Sequence, residues 1–297
     1  MSTLTTANSS TTEIQRQSKR RTWRGPQIGP HLAIVLLLLI SMLPVYLMLV
    51  VSVKNPLQYQ HERWLVSFPL RLTNYNAAWS IVHSYIWNTL WVAIVGFAGV
   101  LILSIIGGYV FARMRFPFRE VLYYMILALL TVPWVISFIP SYMLYNSFNL
   151  LNTPWALIIP NIASGPVFGI FMLRSFFAGI PEEIYDSARI DGAGHWGLIW
   201  RITMPLSLPV LATLGVLNFV STWNSFLWPL VAISNKDYQQ ISVGLFLLSK
   251  EISISGDYSV WGPLFAGYTI ASLPLVILFF LFGKFYVEGL MESGLKV

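Results

Sequence analysis

Between residues 178 and 204 the sequence gathers four carboxylates, Glu182, Glu183, Asp186 and Asp191, around Arg189 and Arg201, in a chain otherwise poor in charge. Carboxylates and arginines spaced three residues apart do the chemistry of ion pairing and protein docking. Enzyme chemistry would require acids, bases or metal ligands that converge on one place. The four histidines, His31, His61, His83 and His195, fall on different segments, and the absence of cysteine removes thiolate nucleophiles, thiolate metal ligands and disulfides. Gly283-Lys284 lacks the upstream glycine and the following hydroxyl of a phosphate-binding loop, so the chain is not expected to hydrolyse ATP. No catalytic residue, metal site or cofactor is predicted.

The same segment has a readable local structure. Pro181 fits a first helical position, and Glu182 and Glu183 follow in the first turn, where carboxylates favour the free backbone amides. Asp186 and Arg189 can pair at i, i+3. Asp191-Gly192-Ala193 then breaks the helix with a residue that tolerates a left-handed backbone, and a second short helix runs from about His195 until Pro205. Ser187, Ala188, Gly192 and Ala193 leave a low surface that a partner's groove could approach, while Ile184, Tyr185 and Ile190 supply apolar area. On physical grounds this knuckle is either a docking element or a loop helix resting on a membrane surface.

The elements that hold the knuckle follow from composition. Of 297 residues, 56% are hydrophobic and 10% charged, with mean hydropathy +0.66. Ordinary soluble domains are about a quarter charged, so lipid is the solvent that fits. Uncharged runs lie at 25–53, 72–112, 121–173, 202–235 and 258–283. A hydrocarbon core of about 30 Å takes about 20 helical residues, so the run 121–173 holds two spans and the others one each. The fold class is therefore an all-α membrane protein with six transmembrane helices, near 31–53, 85–112, 121–147, 154–177, 205–232 and 263–286. With the N-terminus inside, the inner segments carry thirteen Lys and Arg and the outer ones five, which predicts cytoplasmic N- and C-termini. Residues 1–30 read as a disordered basic cytoplasmic tail, 31–286 as a six-helix transmembrane domain including the loop 178–204, and 287–297 as a cytoplasmic C-terminal tail. The first apolar run is too long for a signal-peptide core and reads as an uncleaved anchor.

No Asp, Glu, Lys or Arg lies at depth, which argues against the buried ionisable groups of a proton or sodium relay and points to a neutral solute. The path candidates are Asn161, Ser164, Asn218, Ser221, Asn224 and Tyr268, with Ser137, Ser141, Thr222, Ser225, Thr269 and Ser272 beside them. The alternative for each is hydrogen bonding between helices. Trp223 and Trp228 flank Asn224 and could offer aromatic faces to a solute or anchor the interface. Pro133, Pro140, Pro160, Pro166, Pro205, Pro209 and Pro229 each remove a helical hydrogen bond and let the spans bend. Outside, 72–79 reads as an amphipathic helix leading into the second span, and 233–262 as a long connector.

The knuckle resembles the signature of the inner-membrane permease subunits of ABC importers: Glu-Ala-Ala, Gly four positions after the last Ala, then Ile-x-Leu-Pro. Here it reads Asp186-Ser187-Ala188, Gly192, then Ile202-Thr203-Met204-Pro205. Four further stretches resemble the maltose-type carbohydrate permeases: Asn88-Thr89-Leu90; Gly108 to Arg113 with the turn Phe116-Pro117-Phe118-Arg119; Trp223 to Leu230; and Phe285 to Leu290 followed by Ser293-Gly294-Leu295-Lys296. Met291 and Glu292 depart from the small residues usual in that tail.

The resemblance implies a permease subunit forming half of a translocation path for a sugar or oligosaccharide in the bacterial inner membrane. Its implied partners are a second, related permease chain, two ATPase subunits and an extracytoplasmic solute-binding protein, together with membrane lipid and no nucleic acid. The implied ATPase contacts are Glu183, Asp186, Ser187, Ala188, Arg189, Asp191, Gly192 and Pro205 on the coupling loop. Glu288, Gly289, Gly294 and Lys296 are the implied contacts on the tail, and the outer loop 233–262 is implied to meet the binding protein. An ABC permease for glycerol phosphate, a polyol or a peptide is the alternative. A secondary transporter or a membrane enzyme fits less well.

Overall fold

The structure is a computed structural model that describes residues 28–294, except the side chains of Ser255, Tyr258 and residues 284–294. Residues 28–46 form one compact unit and the chain from Leu47 onward a second. Among the described residues all regular structure is helical. In chain order the helices are α1 (Ile28–Ser52), α2 (Pro56–His61), α3 (Thr73–Arg113), α4 (Arg119–Thr131), α5 (Trp134–Ser147), α6 (Trp155–Ala178), α7 (Glu182–Ile190), α8 (His195–Leu206), α9 (Leu208–Trp223), α10 (Leu227–Ala232), α11 (Ile241–Ser255) and α12 (Trp261–Gly294). The tail 1–27 and Lys296 lie outside the described residues.

Four helices, α1, α3, α6 and α12, are long and apolar enough to cross a membrane singly. The pairs α4–α5 and α8–α9 also qualify, bent by 93° and 79°, which makes six if each pair is one span. The third and fifth expected spans are thus broken helices rather than rods. Pro133 explains the first break. It carries no N–H, and its ring pushes Val132 to an extended backbone (φ −79°, ψ 117°). The expected 205–232 helix stops at Trp223. Continued through it, Pro229 could not donate to Ser225 and would clash there. The chain instead breaks at Asn224–Phe226, and Pro229 sits in the first turn of α10, where a missing N–H costs nothing. The start also differs, because Pro205 lies in α8, before the corner at Ser207.

At about 1.5 Å per residue, the 41-residue α3 is about 60 Å long, twice a hydrocarbon core. The expected outer helix at 72–79 is its first two turns. It packs along α6 at close range, because glycines remove the intervening side chains. A methyl at Gly169 would sit 2.0 Å from Ser104 Oγ, and one at Gly165 would sit 2.6 Å from Val100. The two glycines lie one turn apart on α6, the small-residue spacing that lets membrane helices approach.

Apolar clusters surround both ends of α3. Ile105, Tyr109, Leu173, Phe177, Leu198, Leu211 and Leu214 join α3, α6, α8 and α9 near Arg113. Val82, Ile86, Trp223, Ile241, Leu245 and Leu264 join α3, α9, α11 and α12 at the other end. The outer connector 233–262 is not a plain loop, since α11 occupies half of it and ends on Gly256 at φ +65°.

Candidate functional site

The knuckle folds as its residue types dictate. Glu182 and Glu183 open α7, with Pro181 immediately before it in an extended backbone, one position earlier than expected. Arg189 Nη1 lies 2.7 Å from Asp186 Oδ1 and 3.0 Å from Glu182 Oε1. Gly192 follows at φ +85°, a conformation that side chains disfavour, and the Ala193 N–H closes the helix end on the Ala188 carbonyl at 2.9 Å. The hydrogen bond from Arg189, with the Arg113 guanidinium adding to it, holds the Glu182 carboxyl below the usual carboxylate range.

Tyr185 turns out to be the anchor rather than part of the exposed apolar face. It is 0% exposed and sits in the cluster formed by the ends of α3, α6, α8 and α9. Its hydroxyl lies 3.0 Å from Thr203 Oγ1, and that hydroxyl donates to the Leu198 carbonyl at 3.0 Å. Thr203 and Leu198 bound a π-helical turn inside α8, which widens the helix at the place where Tyr185 docks. Tyr109 of α3 packs beside it, ring centroids 6.5 Å apart, with its hydroxyl 3.1 Å from His195 Nδ1.

Arg113, the last residue of α3, completes the mount. Its guanidinium carbon is 4.2 Å from the centre of the Tyr185 ring, and Nη1 donates to Glu182 Oε2 at 2.6 Å. Nη2 donates to the carbonyls of Phe177, in the last turn of α6, and Ile180, two residues beyond its end. One planar fork therefore ties α3, the end of α6 and α7 together. A parallel clamp stands beside it: Arg174 of α6 pairs with Glu120 of α4 at 2.7 Å and lies 3.7 Å above the Tyr123 ring. Sequence reasoning passed over Arg113 and Tyr185 as functional parts, although Arg113 closes a long apolar run and therefore stands at a helix end.

The side of α7 away from this mount is open. Glu183, Asp186, Ser187, Arg189, Asp191 and Gly192 are exposed, Ala188 is half-buried, and Ile190 is 87% exposed. Pro205 is exposed on α8. The backbone at Glu288, Gly289 and Gly294 continues α12, and their side chains lie outside the described residues.

A cavity of about 830 Å³ lies between α5, α6, α9 and α10, within the range of about 300–1,000 Å³ usual for small-molecule sites. Asn161, Ser164, Ser221 and Asn224 line it, with Ser137, Ser141, Thr222 and Ser225, and no lining residue carries a charge. Asn161 Nδ2 donates to Thr222 Oγ1 at 3.1 Å, and Asn218 Nδ2 donates to Asn161 Oδ1 at 3.0 Å. Asn218 thus stands behind the wall and aims the Asn161 amide. Tyr268 is half-buried elsewhere, against the cluster around Leu264. Trp228 lines the cavity, its N–H on the Ala156 carbonyl at 2.8 Å, whereas Trp223 is a core residue with its N–H on the Ala271 carbonyl.

Comparison with known proteins fits this arrangement. Residues 102–290 match the family described as binding-protein-dependent transport system inner membrane component. The chain is 34% identical over 209 residues to the arabinooligosaccharides transport system permease protein AraQ of Halalkalibacterium halodurans, covering 70% of this chain and 72% of that one. It is 30% identical over 266 residues to the diacetylchitobiose uptake system permease protein NgcG of Streptomyces coelicolor, covering 89% and 87%. A crystal structure of a bacterial ABC transporter involved in the import of alginate shares the fold, with TM-score 0.79 at 20% identity over 95% of this chain and 100% of that one. With more than half its length matched, this chain belongs to the family of inner membrane components of binding-protein-dependent transport systems.

Proposed function

We propose that this chain is the carbohydrate permease subunit of an ATP-driven importer in the bacterial inner membrane, crossing it six times with both termini in the cytoplasm. In this reading α7 is the coupling helix. The supporting observation is its division into two faces: Tyr185 and Arg113 fix one to the ends of α3, α6 and α8, and the other presents Glu183, Ser187, Ile190 and Gly192 to solvent. A helix mounted in this way moves with the spans it is bolted to. A separate ATPase pair gripping the open face, with a contact from Glu288, Gly289, Gly294 and Lys296 at the C-terminal tail, transmits its closure to them. A second permease chain supplies the other half of the path, and an outer binding protein delivers solute to the end of the molecule carrying α11.

The carbohydrate assignment draws on the oligosaccharide-transporting relatives and on a cavity lined by amides and hydroxyls without charge. Replacing Gly192 by valine tests the coupling helix. Nothing lies within 4 Å of a side chain there, so insertion should persist, while the positive φ resists a branched residue and the open face is altered. Uptake should fall by more than tenfold with normal membrane levels. Unchanged uptake, or failure of any ATPase to co-purify, overturns the reading. A reporter active only in the cytoplasm, fused at the C-terminus, tests the orientation.

A further inference from the structure

The cavity has a lining residue whose side chain makes no hydrogen bond to the rest of the fold. Gln240 is 1% exposed, and neither its Oε1 nor its Nε2 has a hydrogen-bond partner among the described residues. A primary amide carries two N–H donors and an acceptor oxygen, and burying all of them unpaired is unfavourable, so such a group in a native interior calls for a reason. Adjacent Gln239 is paired on one side, its Nε2 donating to the Ile233 carbonyl at 3.1 Å while its Oε1 has no partner, so Gln240 alone of the two leaves its whole amide unmatched.

The backbone holds Gln240 in place on both sides. Its carbonyl accepts the Gly244 N–H at 2.9 Å at the start of α11, and the Ile241 N–H donates to Thr89 Oγ1 at 2.9 Å. Gln240 is therefore held by a fixed backbone where it lines the cavity. Asn88, beside Thr89 on α3, meets this same connector through the carbonyls of Asp237 and Gln239. Trp228 lines the same cavity, its ring wedged edge-on by Phe138 and Tyr145, each 5.6 Å away.

We propose that Gln240 is a specificity-determining solute contact whose amide donates to one hydroxyl and accepts from a neighbouring hydroxyl of a neutral saccharide. A vicinal hydroxyl pair offers the same one-donor, one-acceptor pattern in mirror order. The uncharged lining gives an anionic solute no counter-charge, and the Trp228 ring adds an apolar face to the same cavity. This inference rests on the carbohydrate-importer reading and adds to it the residue that selects for hydroxyls.

The test uses cells carrying the whole importer, with radiolabelled arabinobiose, cellobiose, lactose and glycerol 3-phosphate as probes. Gln240→Met keeps the length and removes the amide. Because an unpaired buried amide is being removed, the solubilised complex should melt at the same temperature or higher. Maximal uptake of the accepted saccharide should fall about tenfold, as for loss of hydrogen bonds worth about 1.4 kcal/mol. The apparent KM should stay near the wild-type value, since in this family solute arrives on a binding protein. Gln240→Asn, which keeps the amide one methylene shorter, should retain more uptake than Gln240→Met at equal complex levels. Unchanged uptake in Gln240→Met overturns the contact while leaving the importer reading intact, as does equal loss in both variants accompanied by a lowered melting temperature. Wild-type uptake of glycerol 3-phosphate alone overturns both.

Discussion

The guanidinium of Arg113 stacks 4.2 Å above the ring of Tyr185, so a residue ending a 41-residue span and one buried from a nine-residue surface helix share a single contact. The surface helix is thereby part of the membrane domain's own core.

Replacing Arg113 by alanine removes the side-chain donor to the Ile180 and Phe177 carbonyls, of which Phe177 keeps the Ile180 N–H, a loss of about 1–3 kcal/mol. Arg113→Lys should not restore it, because an ammonium cannot serve several acceptors in one plane and stack as well. Thermal unfolding of the purified complex should show both variants below wild type, with transport reduced in the same order. A wild-type melting temperature for Arg113→Ala would remove this residue from the mount.

Tyr185 separates packing from hydrogen bonding. Tyr185→Phe loses the contact with Thr203, whose hydroxyl keeps the Leu198 carbonyl, and should cost about 1 kcal/mol with transport nearly intact. Tyr185→Ala opens a cavity in the cluster and should cost about 3–5 kcal/mol, abolishing solute-stimulated ATP hydrolysis. Equal behaviour of the two variants in that assay would mean the ring does not anchor α7.

Gly169 tests the close approach of α3 and α6. Its replacement by valine places carbon within 3 Å of Ser104, so the helices must separate, at a cost of at least about 1–3 kcal/mol. Quantitative blotting of membranes should show a marked fall in protein level. The control is Gly194→Ala, where nothing lies within 4 Å and levels should match wild type.

The Glu182 carboxyl is held below its usual range by Arg189 and Arg113, which fixes the direction of one pH effect. A depressed carboxylate contributes stability that is complete above the ordinary value of about 4.3 and is lost as pH falls through the lower folded value. Melting temperature should therefore be insensitive to this group from about pH 5 to 8 and fall in stronger acid. Glu182→Gln should lower it at neutral pH, and the gap from wild type should close in acid. A gap that stays constant in acid would show that charge plays no part.

The sequence already carried the knuckle, because Glu182, Asp186, Arg189 and Gly192 act through local geometry: first-turn carboxylates, an i, i+3 pair and a left-handed residue. It also carried the number of apolar runs, since lipid imposes a length on each. What it did not carry depends on residues far apart in the chain. Arg113 meets Glu182 and Tyr185 across about 70 residues, and nothing near Arg113 says so. Gly165 and Gly169 have meaning only beside Val100 and Ser104. The corners at Pro133 and Ser207 were legible as weak points, but not as turns of 93° and 79°, because the angle is set by what packs on either side. Gln240 gave no signal, since an amide in a polar stretch is ordinary until its burial is known.

The corner at Ser207 turns α8 and α9 into the two arms of a bell crank. At about 1.5 Å per residue the twelve residues of α8 make an arm of about 18 Å and the sixteen of α9 one of about 24 Å, set at 79°. A displacement applied where Tyr185 seats on α8, at Thr203 and so close to the corner, would come out rotated by most of a right angle and enlarged at the Trp223 end of the longer arm. That end borders Asn224, Ser225 and the cavity wall. In a rigid crank each end moves at right angles to its own arm, so a displacement of α8 across its axis would reappear as a sideways swing of the Trp223 end of α9, set by the 79° angle alone.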